Sequence, residues 1–515
     1  MDGQDNSISM HYRRFHGRRS IFTDETEITE DNVMKVLEDT ASAHALNEGE
    51  ISYLFDYYNG IQPVLFKTKE VRPEINNIIV ENHAKEFVDF KTGYLLNQNI
   101  EYVSKGGVNA DGITELNTYM DFCSKSSIDH QIVQDMHICG IAFRGMFPRG
   151  MGKGGYALER GESPFEVFAL SPKNTYVVRT TALGNRVVMA VTVTKRNDGK
   201  NEYMCFTPDY IFTMEGLGAQ PTVERNPIGI IPIVEYQLNE ARTGVFEPVM
   251  SILDAINQAQ SDRLDSLDQF IQALLIFHNV DIDDESYKLL RRDGGIAYKD
   301  ISDTLKGDIQ YLTSQLDQSN TQNLVDNLYD MALKIVGLPQ RSGGGGASTS
   351  DTGSAVVLRD GYYQAEVDAK STELQFIMSE RQFIDGCIRI CNARAGVLDG
   401  LVATDVEIQF TRRNYENIQV KAQVLTTMLT CADSSGIRLI DPSIAFESCG
   451  MFSDPDRKAE ISQHFYDAEK KKAEEKSEKY LEAVGKKQTD GEDGEGDDNE
   501  ANTQDKKEGG SGEGK

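Results

Sequence analysis

Phe246-Glu247-Pro248-Val249-Met250-Ser251-Ile252-Leu253-Asp254-Ala255-Ile256-Asn257 opens the stretch whose reading decides the fold, a strongly helical run expected to continue to Phe277. At about 100° per residue, Val249, Leu253, Ile256, Leu264, Leu267, Phe270, Ile271 and Leu274 gather on one side of that helix. Asp254, Asp262, Asp265 and Asp268 fall on a stripe roughly opposite, with Gln258, Gln269 and Gln272 among them. An apolar face needs neighbours to bury it, and an acidic face needs water or a polyanion that it repels. A surface helix with a solvated face and a helix lining a channel both meet these demands.

Working outward toward the C-terminus, residues from Val280 to Tyr311 read as a compact insert. Arg291-Arg292-Asp293-Gly294-Gly295 supplies a turn and Ile309-Gln310-Tyr311-Leu312 a short strand. A second helix over Asn320–Val336 ends at Gly337-Leu338-Pro339, a stop signal. Arg341-Ser342-Gly343-Gly344-Gly345-Gly346-Ala347-Ser348-Thr349-Ser350 is too poor in side chains to pack a core and reads as a mobile loop. Helical pattern returns from about Ser354 and runs past Ala393, roughly 60 Å at 1.5 Å per residue, with Gly361 and Gly386 leaving room for a kink. A further helical segment spans about Asn417 to Val484, and the tail beyond Lys486 is nearly devoid of apolar residues, the composition of a disordered chain.

Toward the N-terminus the signals change to β. Val167–Leu170, Thr175–Val178 and Val187–Val193 are short runs separated by turn residues, so a sheet-rich unit is expected from Glu162 to Tyr236. The stretch Thr26–Tyr102 reads as helices broken by turns, with Glu27–Asn32 as a capped start, Tyr57-Tyr58-Asn59-Gly60 as a stop and helical period resuming from Pro73 to Tyr94. The fold class expected is α+β, mainly helical.

A chain of 515 residues divides into roughly two to four cores. No apolar run of about 18 residues is present to cross a bilayer, and the polar, basic N-terminus carries nothing resembling an export signal. Seven scattered cysteines, an odd number, point to a reducing compartment rather than a disulfide framework. Cys387 and Cys391 share a helix face, but no partner pair at zinc spacing accompanies them, so they read as core residues. The net charge of −29 argues against a protein that grips phosphates, since such binding is driven by Lys and Arg. It is compatible with a wall that DNA slides past, because an acidic surface repels the polyanion.

Motifs for chemistry are missing. Gly145-Met146-Phe147-Pro148-Arg149-Gly150-Met151-Gly152-Lys153-Gly154 approaches a phosphate loop but has Phe147 where Gly is required and Gly154 where Ser or Thr is required, and it reads as a flexible loop. The eight histidines show no HExxH pattern and no Gly-x-Ser-x-Gly elbow occurs, so no cofactor, metal or catalytic residue is assigned. An enzyme acting on DNA would need a phosphate loop or a metal-binding carboxylate cluster, and the first is broken here.

Three segments together resemble the portal-protein family of long-tailed phages of Gram-positive hosts. They are Tyr57–Gly60 with Asn76–Lys85 and Val88–Leu96; Asn226-Pro227-Ile228-Gly229-Ile230-Ile231-Pro232-Ile233-Val234-Glu235-Tyr236 with Phe246–Val249 and Ile252–Asn257; and Asp351–Leu358. The resemblance implies a non-enzymatic ring of twelve copies at one capsid vertex of the virion, assembled in the host bacterial cytoplasm. Double-stranded DNA would pass through it during packaging and ejection. Terminase, a head-completion adaptor, and the major capsid and scaffolding proteins are the implied partners, with no membrane and no cofactor.

In that frame residues 1–25 are a flexible arm, 26–245 a wing, 246–279 and 315–337 two stem helices, 280–314 a small α/β clip and 338–352 a tunnel loop. Residues 353–416 are a long helix returning to the wing, 417–485 a helical crown and 486–515 an acidic tail. The tunnel loop places Gln340, Arg341, Ser342, Gly343, Gly344, Gly345, Gly346 and Ser348 near DNA. The stem directs Asp254, Asp262, Asp265 and Asp268 to the channel, and the clip offers Arg291, Arg292, Tyr298 and Lys299 for docking.

Overall fold

The computed structural model describes residues 17–70, 72–105, 108–150, 162–271, 274–278, 280–281, 299–300, 308–312, 318–339, 362–394, 398–410, 418–431, 440–449, 458–468, 470–472 and 474. The chain divides into two compact units, residues 1–421 and 422–515. The architecture is α+β.

The first strand, β1 (Ile21–Thr23), pairs in parallel with β5 (Thr175–Thr180). Residues 17–25 are therefore not part of a loose arm, as the sequence suggested. Arg18 is buried, and its guanidinium donates at 2.8 Å to Glu247. The helix α1 (Val33–Tyr58) follows and stops at Gly60, whose φ of +88° is a conformation that costs a glycine little. Helix α2 (His83–Leu95) begins later than the periodicity from Pro73 suggested, because Pro73 and Glu74 form a turn and Asn77, Ile79 and Glu81 donate their backbone N–H groups to side chains of another helix. Strand β2 (Glu101–Ser104) and the helices α3 (Ala110–Phe122) and α4 (Lys125–Cys139) come next.

The sheet-rich region starts earlier than expected, at β3 (Ile141–Pro148). Gly145, Met146, Phe147 and Pro148 thus lie in a strand and not in a flexible loop. With β4 (Phe165–Leu170) and β10 (Ile233–Gln237), β3 forms an antiparallel sheet of order β10-β3-β4. The larger sheet has the order β1-β5-β6-β7-β8-β9, using β6 (Val187–Lys195), β7 (Asn201–Phe206), β8 (Tyr210–Met214) and β9 (Thr222–Arg225). Both faces of this sheet are covered: Tyr203, Cys205, Phe212 and Met214 pack in the core that includes Val33 and Leu37 of α1, while Val177, Ala190, Phe206 and Ile211 join the core that includes Phe143.

After a 3-10 turn at Glu247–Val249, helix α5 (Met250–Ile271) carries the stretch quoted first. It is shorter than the sequence suggested. Leu274-Leu275-Ile276-Phe277-His278 form β11 (Leu274–His278), paired antiparallel with β14 (Asp308–Leu312), and β12 (Val280–Asp281) pairs with β13 (Lys299–Asp300). Four contiguous apolar residues serve a paired strand as well as a helix, and the partner strand decides between them. Helix α6 (Gln318–Val336) returns and ends on Gly337 at φ +77°, with the Leu338 N–H donating to the Leu333 carbonyl at 2.9 Å, a Schellman closure.

The long helix α7 (Tyr362–Arg394) passes Gly386 without a break. A Cβ at Gly386 would collide with the Met146 side chain, so this glycine allows a close approach of helix to sheet and not a kink. Strand β15 (Val406–Gln409) pairs antiparallel with β2. Helix α8 (Ile418–Thr430) carries the chain from the first unit into the second, where α9 (Pro442–Cys449) buries Ala445, Phe446 and Cys449 and residues 458–468 are helical.

Candidate functional site

Helix α5 packs against α6. Leu253 and Ile256 are buried against Val325, Ala332, Leu333 and Val336 of α6, which satisfies much of the apolar face read from the sequence. Arg263 reaches Gln322 across the same seam at 2.5 Å. The pair is thus a helical hairpin whose far end passes into β11 and β14.

The acidic row has a different fate from the two considered. Lys67 bridges Asp262 at 2.7 Å and Asp265 at 2.9 Å, and Lys69 also pairs with Asp265. Asp265 is buried and accepts the Asn77 backbone N–H at 2.6 Å, while Asp268 accepts the Asn77 side-chain amide at 2.6 Å. Tyr57 donates its hydroxyl to Asp254 at 2.8 Å. Burial alone would raise the Asp265 carboxyl, but Lys69, the Asn77 N–H and Lys67 hold it well below the usual carboxylate range. Asp254, beside the Tyr57 hydroxyl, is pushed up by burial.

Two carboxylates and two ammonium groups therefore balance inside one subunit, and the strap Lys67–Asn77 covers Asp265. Of the four, only Asp262 is exposed, and it shares an open wedge of α5 with Ser251, Ala255 and Gln258. The sequence carried a hint in Lys67-Thr68-Lys69, a basic pair in an acidic chain, but nothing local ties it to a helix about 195 residues away.

A second polar cluster, unforeseen from the sequence, ties the long helix to the sheet core. Arg144 on β3 is wholly buried, donating to Glu380 of α7 at 2.8 and 3.1 Å and to Asp129 of α4. Lys125 pairs with Asp129 at 2.5 Å and Glu380 at 3.0 Å. The hydroxyls of Tyr102 and Tyr236 donate to Glu380 at 2.5 and 2.6 Å. The rings of Tyr236, Phe376 and Phe383 surround the guanidinium at 4.8, 5.7 and 4.6 Å. Burial alone would raise the Glu380 carboxyl, yet Arg144, Lys125 and the two hydroxyls hold it well below its usual range. Two cations face two anions, so the cluster is neutral. Arg144 is a lone charge in the apolar run Ile141–Phe147, which is the signal that a buried partner had to exist.

Cys387 and Cys391 are buried on α7, and burial pushes the Cys391 thiol up to about 12, the opposite of a reactive or ligating thiol. Among the described residues no group of three or more metal-binding side chains is found, and no helix is long and apolar enough to cross a membrane. Gln340, Arg341, Ser342, Gly343, Gly344, Gly345, Gly346 and Ser348, and the clip residues Arg291, Arg292 and Tyr298, lie outside the described residues. Lys299 lies in β13.

The family model described as "Phage portal protein, SPP1 Gp6-like" matches residues 41–483, most of the chain. The chain belongs to this phage portal family. Among solved structures, a chain from the neck of an empty gene transfer agent particle computed with C6 symmetry is similar at 10% identity and a TM-score of 0.39, with 78% of this chain and 94% of that one covered. A chain from the virion of the native gene transfer agent particle gives 11% identity, a TM-score of 0.40 and coverage of 78% and 94%. One from the native neck computed with C12 symmetry gives 10%, 0.40, and coverage of 72% and 89%. No curated protein sequence matches the chain. Helices α5 and α6, with the strand pairs β11–β14 and β12–β13 between them in sequence, span the residues for which the sequence suggested a stem and a clip.

Proposed function

We propose that twelve copies form a ring at one capsid vertex, through which double-stranded DNA enters during packaging and leaves during ejection. Terminase and later a head-completion adaptor dock on the segment between α5 and α6 in sequence, which carries Arg291, Arg292, Tyr298 and Lys299, while capsid and scaffolding proteins meet the ring's periphery. The role is that of a conduit in the virion, assembled in the host cytoplasm, with no chemistry of its own. The family match over residues 41–483 carries this reading.

In the ring the open wedge of α5, namely Ser251, Ala255, Gln258 and Asp262, faces the bore. Asp265 and Asp268 hold the strap that shapes the wall, and Asp254 accepts the Tyr57 hydroxyl. A surface of small polar groups with little fixed positive charge lets a polyanion slide without counterion exchange. Arg341 supplies a transient phosphate contact from the segment Gln340–Ser350, whose glycines let identical loops follow a helix of mismatched symmetry.

Light scattering and electron microscopy of the purified protein test the assembly. Annular particles of about 690 kDa, twelve times 57.4 kDa, are expected. A chain that stays at 57.4 kDa and hydrolyses ATP would sink the proposal.

A further inference from the structure

The N-terminal strand is short. Only Ile21, Phe22 and Thr23 pair with β5, in parallel and at the edge of the larger sheet, with one further bond from the Thr181 N–H to the Thr23 carbonyl at 2.9 Å. A parallel ladder of this length contributes little by itself. The residues just before it hold it down. Arg19 donates its N–H to the Asn47 side chain of α1 at 3.0 Å, and the Asn47 amide donates to the Arg19 carbonyl at 2.9 Å. The Arg19 guanidinium donates to Glu50 of α1 at 2.9 Å. The Arg18 N–H donates to the Arg242 carbonyl at 3.0 Å, and the Arg242 guanidinium donates to the Ser20 hydroxyl.

The Arg18 side chain reaches from this strand to the start of α5. It has no exposed surface, donates to Glu247 at 2.8 Å and lies 3.5 Å from Glu50, so one guanidinium sits between two carboxyl groups. Glu247, equally enclosed, begins the 3-10 turn that leads into α5, and its second oxygen accepts the Gly244 N–H at 2.6 Å. Among the described residues Arg18 is the one cation paired with Glu247. The loop before α5 is tied to the end of α4 as far as Val245, whose N–H donates to the His137 carbonyl at 2.8 Å. Farther along, Tyr57 meets the Met250 carbonyl at 3.4 Å and Asp254 at 2.8 Å. Between these two ties the root of the helix is held by its apolar side chains Phe246, Val249 and Met250 and by Glu247.

Lifting the strand would carry Arg18 and Arg19 away together and leave Glu50 and Glu247 facing each other with no cation between them. Enclosed carboxyl groups without a partner are costly, and Glu247 relieves that cost by turning outward, which its place at the helix root allows only if the first turns of α5 move. The larger sheet has no such dependence, since β5 stays paired with β6 from Thr175 to Arg179. We infer that residues 17–23 are a latch on the root of α5: seated, Arg18 fixes the root, and when the strand lifts from β5 the first turns of α5 loosen with it while the rest of the sheet stays folded. In the ring proposed above α5 carries the wall, so a pull on the N-terminal end acts on the wall. The latch itself is a property of the single chain and does not rest on the ring.

Hydrogen exchange followed by mass spectrometry on the full chain tests the coupling, with each variant read at the segment it does not touch. Arg18→Met is expected to speed exchange over residues 246–258, and Glu247→Gln, which still accepts the Gly244 N–H, to speed it over residues 17–23, each by about tenfold, the scale of one lost charged hydrogen bond. Ile21, buried with Leu37 and Val178, lies outside the ion pair. Ile21→Ala therefore loosens the strand alone and is expected to speed exchange over residues 246–258 by a smaller factor. Strands β6 to β8 keep their native rates in all three. Exchange that changes only in the segment carrying the substitution would overturn the coupling. An equal rise throughout β6 to β8 would also overturn it, because the pair would then hold the whole fold and not a latch. Far-UV circular dichroism verifies folding; if either ion-pair variant does not fold, Ile21→Ala decides between the same outcomes.

Discussion

Replacing Glu380 by Gln keeps the shape of the side chain and removes one of two anions from the buried cluster of Arg144, Lys125, Asp129 and Glu380. Arg144 and Lys125 would then share Asp129 alone, leaving one uncompensated positive charge where Arg144 has no exposed surface. Breaking a buried pair in this way costs about 3–5 kcal/mol, a large part of the roughly 5–15 kcal/mol by which folded domains are stable. A fall in thermal midpoint of about 6 °C or more follows, at about 2–4 °C per kcal/mol for larger domains.

The sign with pH is fixed by the carboxyl being held down. The contribution is fully present above the ordinary glutamate range and is lost as pH falls through it toward the lowered folded value. Circular dichroism melts at pH 7, 5 and 4 should show the native chain losing stability on acidification, with the Gln variant low throughout and its acid slope flatter. A companion chain with Arg144→Met and Glu380→Leu retains the neutral Lys125–Asp129 pair and should melt above the single variant. A Glu380→Gln protein melting within 1 °C of the native one (~0.5 kcal/mol or less), or a double variant melting below the single, would refute the charge-balance reasoning.

His83 lies between Glu86 at 2.7 Å and Glu81 at 3.1 Å, with its ring 4.5 Å from that of Tyr329 on α6. Burial lowers its pKa, but the two carboxylates more than offset this and raise it above the ordinary histidine value. Its stabilising contribution is therefore present below that ordinary value and is lost as pH rises through the raised one. His83→Gln should flatten the change in urea midpoint between about pH 6 and pH 8, and an unaltered slope would show that the pair is not coupled to folding. In a packaging reaction, Arg341→Ala should weaken retention of packaged DNA a few-fold, and Asp262→Asn should slow translocation by a similar factor as phosphates dwell on the wall; unchanged retention and rate in both would remove these residues from the bore.

What the sequence by itself determined is local. The stop at Tyr57-Tyr58-Asn59-Gly60, the runs that became β4, β5 and β6, the ends of α6 and the pairing-competent Ile309–Leu312 are written in nearest-neighbour chemistry: turn glycines, alternation and periodicity. The family resemblance was legible for the same reason, since it rests on short runs in a fixed order.

Tertiary structure decided whatever depends on a partner far along the chain. Leu274–His278 became a strand because Asp308–Leu312 lies beside it. Residues 75–82 stayed out of a helix because α5 takes the backbone hydrogen bonds of Asn77, Ile79 and Glu81. The aspartate row, which by itself calls for water or a polyanion, found Lys67 and Lys69 instead. Glu380 is an ordinary surface glutamate by sequence, and it becomes the centre of a buried cluster only when β3, α4, β10 and α7 converge on it. Charge gives a residue its need for a partner, but the chain's path alone determines which partner arrives, because electrostatic attraction acts on distance in space and carries no record of separation in sequence.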